Sequence, residues 1–164
     1  MAKAFQEMNE KRRNKAELIG ELALAFRQDQ NRGQAFDELV AERLGINLTD
    51  LRCIDIVEQH GGITAGELAE AAHLTTGAVT AVLDRLERAG YAQRVRDQTD
   101  RRRVRVELTE SAQQAAGALY GPLAEGFNAL MDRYTADQLE IVLDLLRRGA
   151  EVHARSFERL KSGG

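Results

Sequence analysis

Residues 64–90 read TAGELAEAAHLTTGAVTAVLDRLERAG, two helices with a tight turn between them. Thr64-Ala-Gly-Glu67 is a capping box: the Thr hydroxyl serves the Glu backbone N–H, and the Glu side chain returns to the Thr backbone. It opens a short helix carrying Leu68, Ala69 and Ala72, followed by a turn at His73-Leu74. Thr75 then caps a second helix that runs to Ala89 and is closed by Gly90. Two short helices joined this way form a helix-turn-helix.

On the C-terminal side the hydrophobic period drops from about 3.6 to 2. In Tyr91–Arg96, Tyr91 and Val95 alternate with Ala92 and Arg94; in Arg103–Leu108, Val104, Val106 and Leu108 alternate with Arg103, Arg105 and Glu107. These are two strands of an antiparallel hairpin with one buried face, joined by the polar loop 97–102. A hairpin after a helix-turn-helix makes a winged helix. On the N-terminal side, Thr49 is read as the cap of a helix carrying Leu51, Cys53, Ile54 and Val57. His60-Gly61-Gly62 stops that helix, and Ile63 makes a very short strand.

Further out the pattern is helical at both ends. Leu18, Ile19, Leu22, Ala25 and Phe26 mark one helix. Gly33 is read as a break, and Phe36, Leu39, Val40 and Leu44 mark another, ended by Gly45. After the hairpin, Thr109 caps a helix expected to kink or stop at Gly121-Pro122. Thr135-Ala-Asp-Gln138 is a second capping box. The helix it opens carries Leu139, Val142, Leu143, Leu146, Ala150 and Phe157, and 161–164 should fray. The fold class is mainly α with a small β-hairpin wing: a winged helix-turn-helix flanked by N- and C-terminal helices.

Composition agrees. The chain has 164 residues, 43% hydrophobic and 30% charged, enough apolar material for a core and against wholesale disorder. One proline and no tryptophan favour helix. The longest apolar run, Leu22–Phe26, is far too short to span a bilayer. The basic cluster Lys11, Arg12, Arg13 and Lys15 is followed by no apolar segment of signal-peptide length, so a cytoplasmic protein without membrane contact is expected. The single cysteine, Cys53, excludes an internal disulfide and a cysteine-based zinc cage.

The net charge is -3, which taken alone argues against nucleic acid as a partner. Its distribution argues otherwise. From Arg85 to Arg105 eight arginines face three acids, so that segment carries +5 and the remainder -8. A basic stripe on an acidic body can bind a polyanion, although a solvated arginine-rich hairpin has the same composition. The helix from Thr76 to Ala89 adds to the case. Val79, Val82, Leu83 and Leu86 form its apolar side, and the opposite side carries Gly77, Thr80, Ala81, Asp84 and Arg88 with Arg85 on the flank. A face with so little bulk can press close to the major groove. There hydroxyls reach base edges or phosphates, and Thr or Ala methyls meet thymine methyls. The alternative is a small-residue helix packed on another helix. In the wing, arginine at the loop tip suits a narrow minor groove, and Asp100 beside it suits a bracing role. The DNA-contact candidates are thus Thr75, Thr76, Gly77, Thr80, Ala81, Arg85, Arg101, Arg102 and Arg103, with Asp100 as wing support.

Taken together, 48–54 (LTDLRCI), 62–69 (GITAGELA), 74–90 (LTTGAVTAVLDRLERAG), 100–102 (DRR) and 106–109 (VELT) resemble the MarR family of winged-helix transcription regulators. The match is close over about residues 48–109, and Ala112 departs from it where many relatives carry glycine. The resemblance implies a homodimer in which residues 1–47 and 109–164 form a helical dimerisation layer and 48–108 the DNA-binding domain. It implies a regulator that, as members usually do, binds palindromic promoter DNA and, as they often do, represses, with release in many members by a small phenolic or other aromatic ligand. It assigns Thr76, Gly77, Thr80 and Arg85 to the recognition helix and Asp100, Arg101 and Arg102 to the wing.

Other chemistries find little support. Cys53 lies between Leu51 and Ile54 on an apolar stripe and is read as a small core hydrophobe. His60, His73 and His153 lack ligand spacing, so no metal or other cofactor is expected. No catalytic set or phosphate loop stands out, so no enzyme is expected. Phe26, Phe36, Tyr120 and Phe127 could line a ligand pocket, but aromatics at helical spacing are more often core. The competing function is a winged-helix protein-interaction module without DNA binding.

Overall fold

The computed structural model describes residues 14–96 and 103–163. In chain order it contains α1 (Lys15–Leu44), α2 (Leu48–Gln59), β1 (Ile63–Thr64), α3 (Ala65–Ala72), α4 (Thr76–Arg88), β2 (Ala92–Arg96), β3 (Val104–Leu108), α5 (Glu110–Met131) and α6 (Ala136–Lys161). The strands form one antiparallel sheet in the order β1-β3-β2. Ile63 pairs with Val106, and β2 runs against β3 from Ala92↔Leu108 to Arg96↔Val104. The winged helix-turn-helix expected from the sequence is present.

Its core lies between α2, α3, α4 and the sheet. Cys53, Ile54 and Val57 meet Leu68, Ala69 and Ala72, and both sets meet Val79, Val82, Leu83 and Leu86, with Ile63, Ala92 and Val106 closing the sheet side. The turns are fixed by local chemistry. The Thr64 hydroxyl accepts from Glu67 N at 3.3 Å while Thr64 N donates to the Glu67 carboxylate at 2.9 Å. His73 takes a left-handed conformation (φ 54°) at the end of α3, and Thr75 Oγ1 accepts from Ala78 N at 3.2 Å to start α4. Gly62, at φ 105°, leaves little room for a side chain, because a Cβ there would lie 3.1 Å from Arg105 Nη2.

Four local expectations are corrected. Gly33 does not break the first helix: α1 runs unbroken for 30 residues. Interior glycine costs about 1 kcal/mol against alanine, too little to stop a segment otherwise rich in helix formers. Asn47, not Thr49, caps α2, its Oδ1 accepting from Asp50 N at 2.9 Å. Asparagine is the stronger cap and gains two more helical residues. Pro122 does not interrupt α5, which runs from Glu110 to Met131 past a residue with no N–H to donate. On β2 the fully buried residue is Ala92, while the bulkier Tyr91 and Val95 are half-buried. Ala112, the departure from the family pattern, is buried in the first turn of α5, where Thr109 Oγ1 caps it at 3.1 Å.

The chain divides into two compact units between Ala115 and Ala116. In the first, Val40 and Ala41 near the end of α1 are buried, and the Tyr91 hydroxyl donates to the Leu44 carbonyl at 3.2 Å. The rest of α1 exposes Leu18, Leu22 and Phe26. In the second, α6 buries no residue and exposes Leu143, Leu146 and Phe157.

Candidate nucleic-acid interface

The two faces of α4 are as the spacing predicts. Val79, Val82, Leu83 and Leu86 are at most 2% exposed, while Thr75, Thr76, Gly77, Thr80 and Ala81 are all exposed. Nothing lies within 4 Å of the position a Gly77 Cβ would occupy, so the surface over this turn is open. The threonines are partly committed. Thr75 accepts the capping bond, and the Thr80 hydroxyl donates back to the Thr76 carbonyl at 3.0 Å, leaving its lone pairs outward. A shallow groove follows this side of the helix, lined by Ala78, Ala81, Val82 and Arg85 from α4 and by Asn47, Leu48 and Thr49 at the start of α2.

Arg85 is not a loose surface charge. Its Nε donates to Asp50 Oδ2 at 3.0 Å and its Nη2 to Asp50 Oδ1 at 2.5 Å. This raises the arginine pKa further, chiefly through the hydrogen bond to the carboxylate. Sequence reasoning did not single out Asp50. The available signal was its place one turn before Ile54 and two before Val57, on the stripe that α2 buries.

The arginine stripe proves to be largely a set of braces. Arg88 Nε donates to the Asp84 carbonyl at 3.0 Å. Arg94 pairs with Glu87 and, at 3.0 Å, with Asp84, tying β2 to α4. Arg103, a candidate DNA contact, pairs with Glu67 at 2.9 Å and ties the root of the wing to α3. Arg105 donates to the Gly62 carbonyl at 2.6 Å. Of the six described arginines from 85 to 105, only Arg96 has no such tie. Asp100, Arg101 and Arg102 lie outside the described residues. Glu67 works twice, in the capping box and on Arg103. Its carboxyl is held below the usual glutamate range, first by the Thr64 backbone N–H, then by the Thr64 hydroxyl, with Arg103 adding.

Cys53 is fully buried, and burial pushes its thiol pKa up, with the Asp50 charge adding. His60 ends α2 with Nδ1 2.8 Å from the Ile56 carbonyl. Among the described residues, no three His, Cys, Asp or Glu side chains cluster as a metal site, and no helix is long and apolar enough to cross a membrane. Phe26 and Phe127 are exposed; Phe36 and Tyr120 are half-buried.

Comparison with known proteins agrees with this geometry. The MarR family model matches residues 46–104. The uncharacterized HTH-type transcriptional regulator YcgE of Bacillus subtilis (strain 168) is 37% identical over 150 residues, covering 92% of this chain and 97% of that protein. The crystal structure of transcriptional regulator PA4135 is similar at 29% identity and a TM-score of 0.55, over 80% of this chain and 96% of that one. A mutant of S. aureus MepR bound to oligodeoxyribonucleotide shares the fold at 22% identity and a TM-score of 0.54, over 80% and 96% of the two chains.

Proposed function

Because this chain belongs to the MarR family of helix-turn-helix transcriptional regulators, we propose that it binds palindromic promoter DNA as a homodimer and represses transcription from it. In this reading residues 1–47 and 109–164 build the dimerisation layer and 48–108 dock on DNA. Thr75, Thr76, Gly77, Thr80, Ala81 and Arg85 enter the major groove, and Arg101 and Arg102 reach the backbone or minor groove. Arg103, held by Glu67, sets the root of the wing and adds charge there. The observation that carries the proposal is the open, small-residue outer face of α4 on a helix whose other face is locked into the core. A helix so mounted can present its backbone to a groove without rearrangement. A small aromatic ligand that releases the DNA completes the reading.

The engagement of most of the arginine stripe by protein acids and carbonyls favours a second reading, a winged-helix interaction module without DNA binding. A gel shift with the DNA upstream of the protein's own gene separates the two. The wild type is expected to shift that duplex and not a scrambled one. Gly77→Glu places a charged side chain on the open turn without touching the core. It should abolish the specific shift while circular dichroism stays unchanged. Specific binding that survives Gly77→Glu means a different element enters the groove.

A further inference from the structure

We infer that Asp50 is a positioning residue for DNA recognition, which holds the Arg85 guanidinium in one orientation so that its unused donors meet DNA as a fixed fork. The inference rests on the DNA-binding reading above and extends it to a residue outside the recognition helix.

Asp50 is the one buried charged residue among those described, at 1% exposure, and both of its carboxylate oxygens are taken by Arg85. The pair is lopsided: the Arg85 side chain is 39% exposed and that of Asp50 only 2%. A buried ion pair is a poor source of stability, since apolar side chains of similar volume serve as well or better. What a bidentate pair does supply is orientation. The guanidinium is planar with five N–H donors, so binding through Nε and one Nη2 hydrogen fixes the directions of the other three.

Those three donors belong to a side chain that lines the groove beside Ala78 and Ala81. A free arginine must give up rotamer freedom on reaching DNA, whereas one already clamped has lost it on folding. The matching acceptor is a pair of oxygens or an O/N edge on the duplex, as offered by a phosphate or by guanine O6 and N7. The base of α2 is itself fixed, because Asn47 Oδ1 holds the Asp50 backbone N–H at 2.9 Å. The clamp therefore runs from a capped helix end, through a buried carboxylate, to the recognition helix.

The test uses the full-length protein and a duplex selected by the wild type from a randomised pool, with a scrambled duplex of equal composition beside it. Dissociation constants are measured for wild type, Asp50→Asn, Arg85→Lys and the double variant at one salt concentration, with melting curves on each. Asp50→Asn removes a negative charge, so simple electrostatics would tighten binding. The fork predicts the opposite, a loss of about tenfold or more on the selected duplex. Arg85→Lys keeps the charge, lacks the fork and should lose as much. The double variant should lose no more than either single one, because both break the same clamp. Loss on the selected duplex alone marks a guanine contact and loss on both duplexes a phosphate; either supports the clamp. Unchanged or tighter binding by Asp50→Asn overturns it, as do losses that add in the double variant. Should Asp50→Asn not fold, wild-type affinity in Arg85→Lys overturns it alone. If the wild type selects no duplex, the DNA-binding reading falls and this inference with it.

Discussion

Glu67 shows how much one side chain carries at the junction of helix and wing. It closes the capping box of α3 and anchors Arg103. The two duties can be separated, because Gln138 closes the same box with Thr135 at the start of α6. Glu67→Gln should therefore keep α3 intact and release the wing root, leaving helix content unchanged. The lowered carboxyl pKa gives the pH signature. A group whose folded pKa lies below its unfolded value contributes stability in full above the ordinary glutamate pKa of about 4.3, and that contribution is lost as pH falls through the folded value. Melting temperatures of wild type and Glu67→Gln should therefore differ near pH 6 and converge in acid. A gap that stays constant from pH 6 to strong acid would show that the carboxylate contributes nothing as a charge. Asp50 and Arg85 make the contrasting case. They lie 35 positions apart, and periodicity alone reveals that a carboxylate sits on a buried stripe but not which arginine meets it.

At the scale of elements, caps and periods carried most of the information. Both capping boxes, the His73 turn and the Thr75 and Thr109 caps were legible, because each is set by neighbours within four residues; the strict alternation expected of β3 is not met, since only Val106 is fully buried and Val104 is exposed. Gly33 and Thr49 are local signals weak enough to be overridden, by long helix-forming flanks in the first case and by a better cap two residues earlier in the second, whereas Pro122 is a strong breaker that α5 nevertheless carries in its interior. The burial of Ala92 rather than Tyr91 depends on how β2 lies across α4, which no local pattern encodes. The exposed outer-face residues of α4 were legible through spacing, whereas the partners of the wing arginines were not. Gly33 offers a direct check. It lies in helix with nothing within 4 Å of the position its Cβ would take, so Gly33→Ala should stabilise the protein by about 0.5–1 kcal/mol. A lower melting temperature would mean that another surface packs against that turn in the assembled protein.

For the whole molecule, the exposed apolar residues call for a partner. Leu18, Leu22 and Phe26 on α1 and Leu143, Leu146 and Phe157 on α6 are 41–53% exposed in the single chain. Surfaces of this kind are covered in two-fold assemblies. Light scattering at micromolar concentration should give twice the 18.2 kDa chain mass, and a stable monomer would remove the basis for a palindromic operator. The ties made by Arg94, Arg103 and Arg105 bear on how such an assembly measures DNA. Arg94 and Arg103 tie the hairpin to α4 and α3, and Arg105 ties β3 to the Gly62 carbonyl ahead of β1, so in the proposed dimer each half-site reader resembles one jaw of a calliper, rigid in itself. With rigid jaws the adjustable quantity is the span between them. One base pair added between half-sites turns one jaw about 35° around the duplex relative to the other. Operators for this protein should accordingly tolerate a changed letter better than a changed gap.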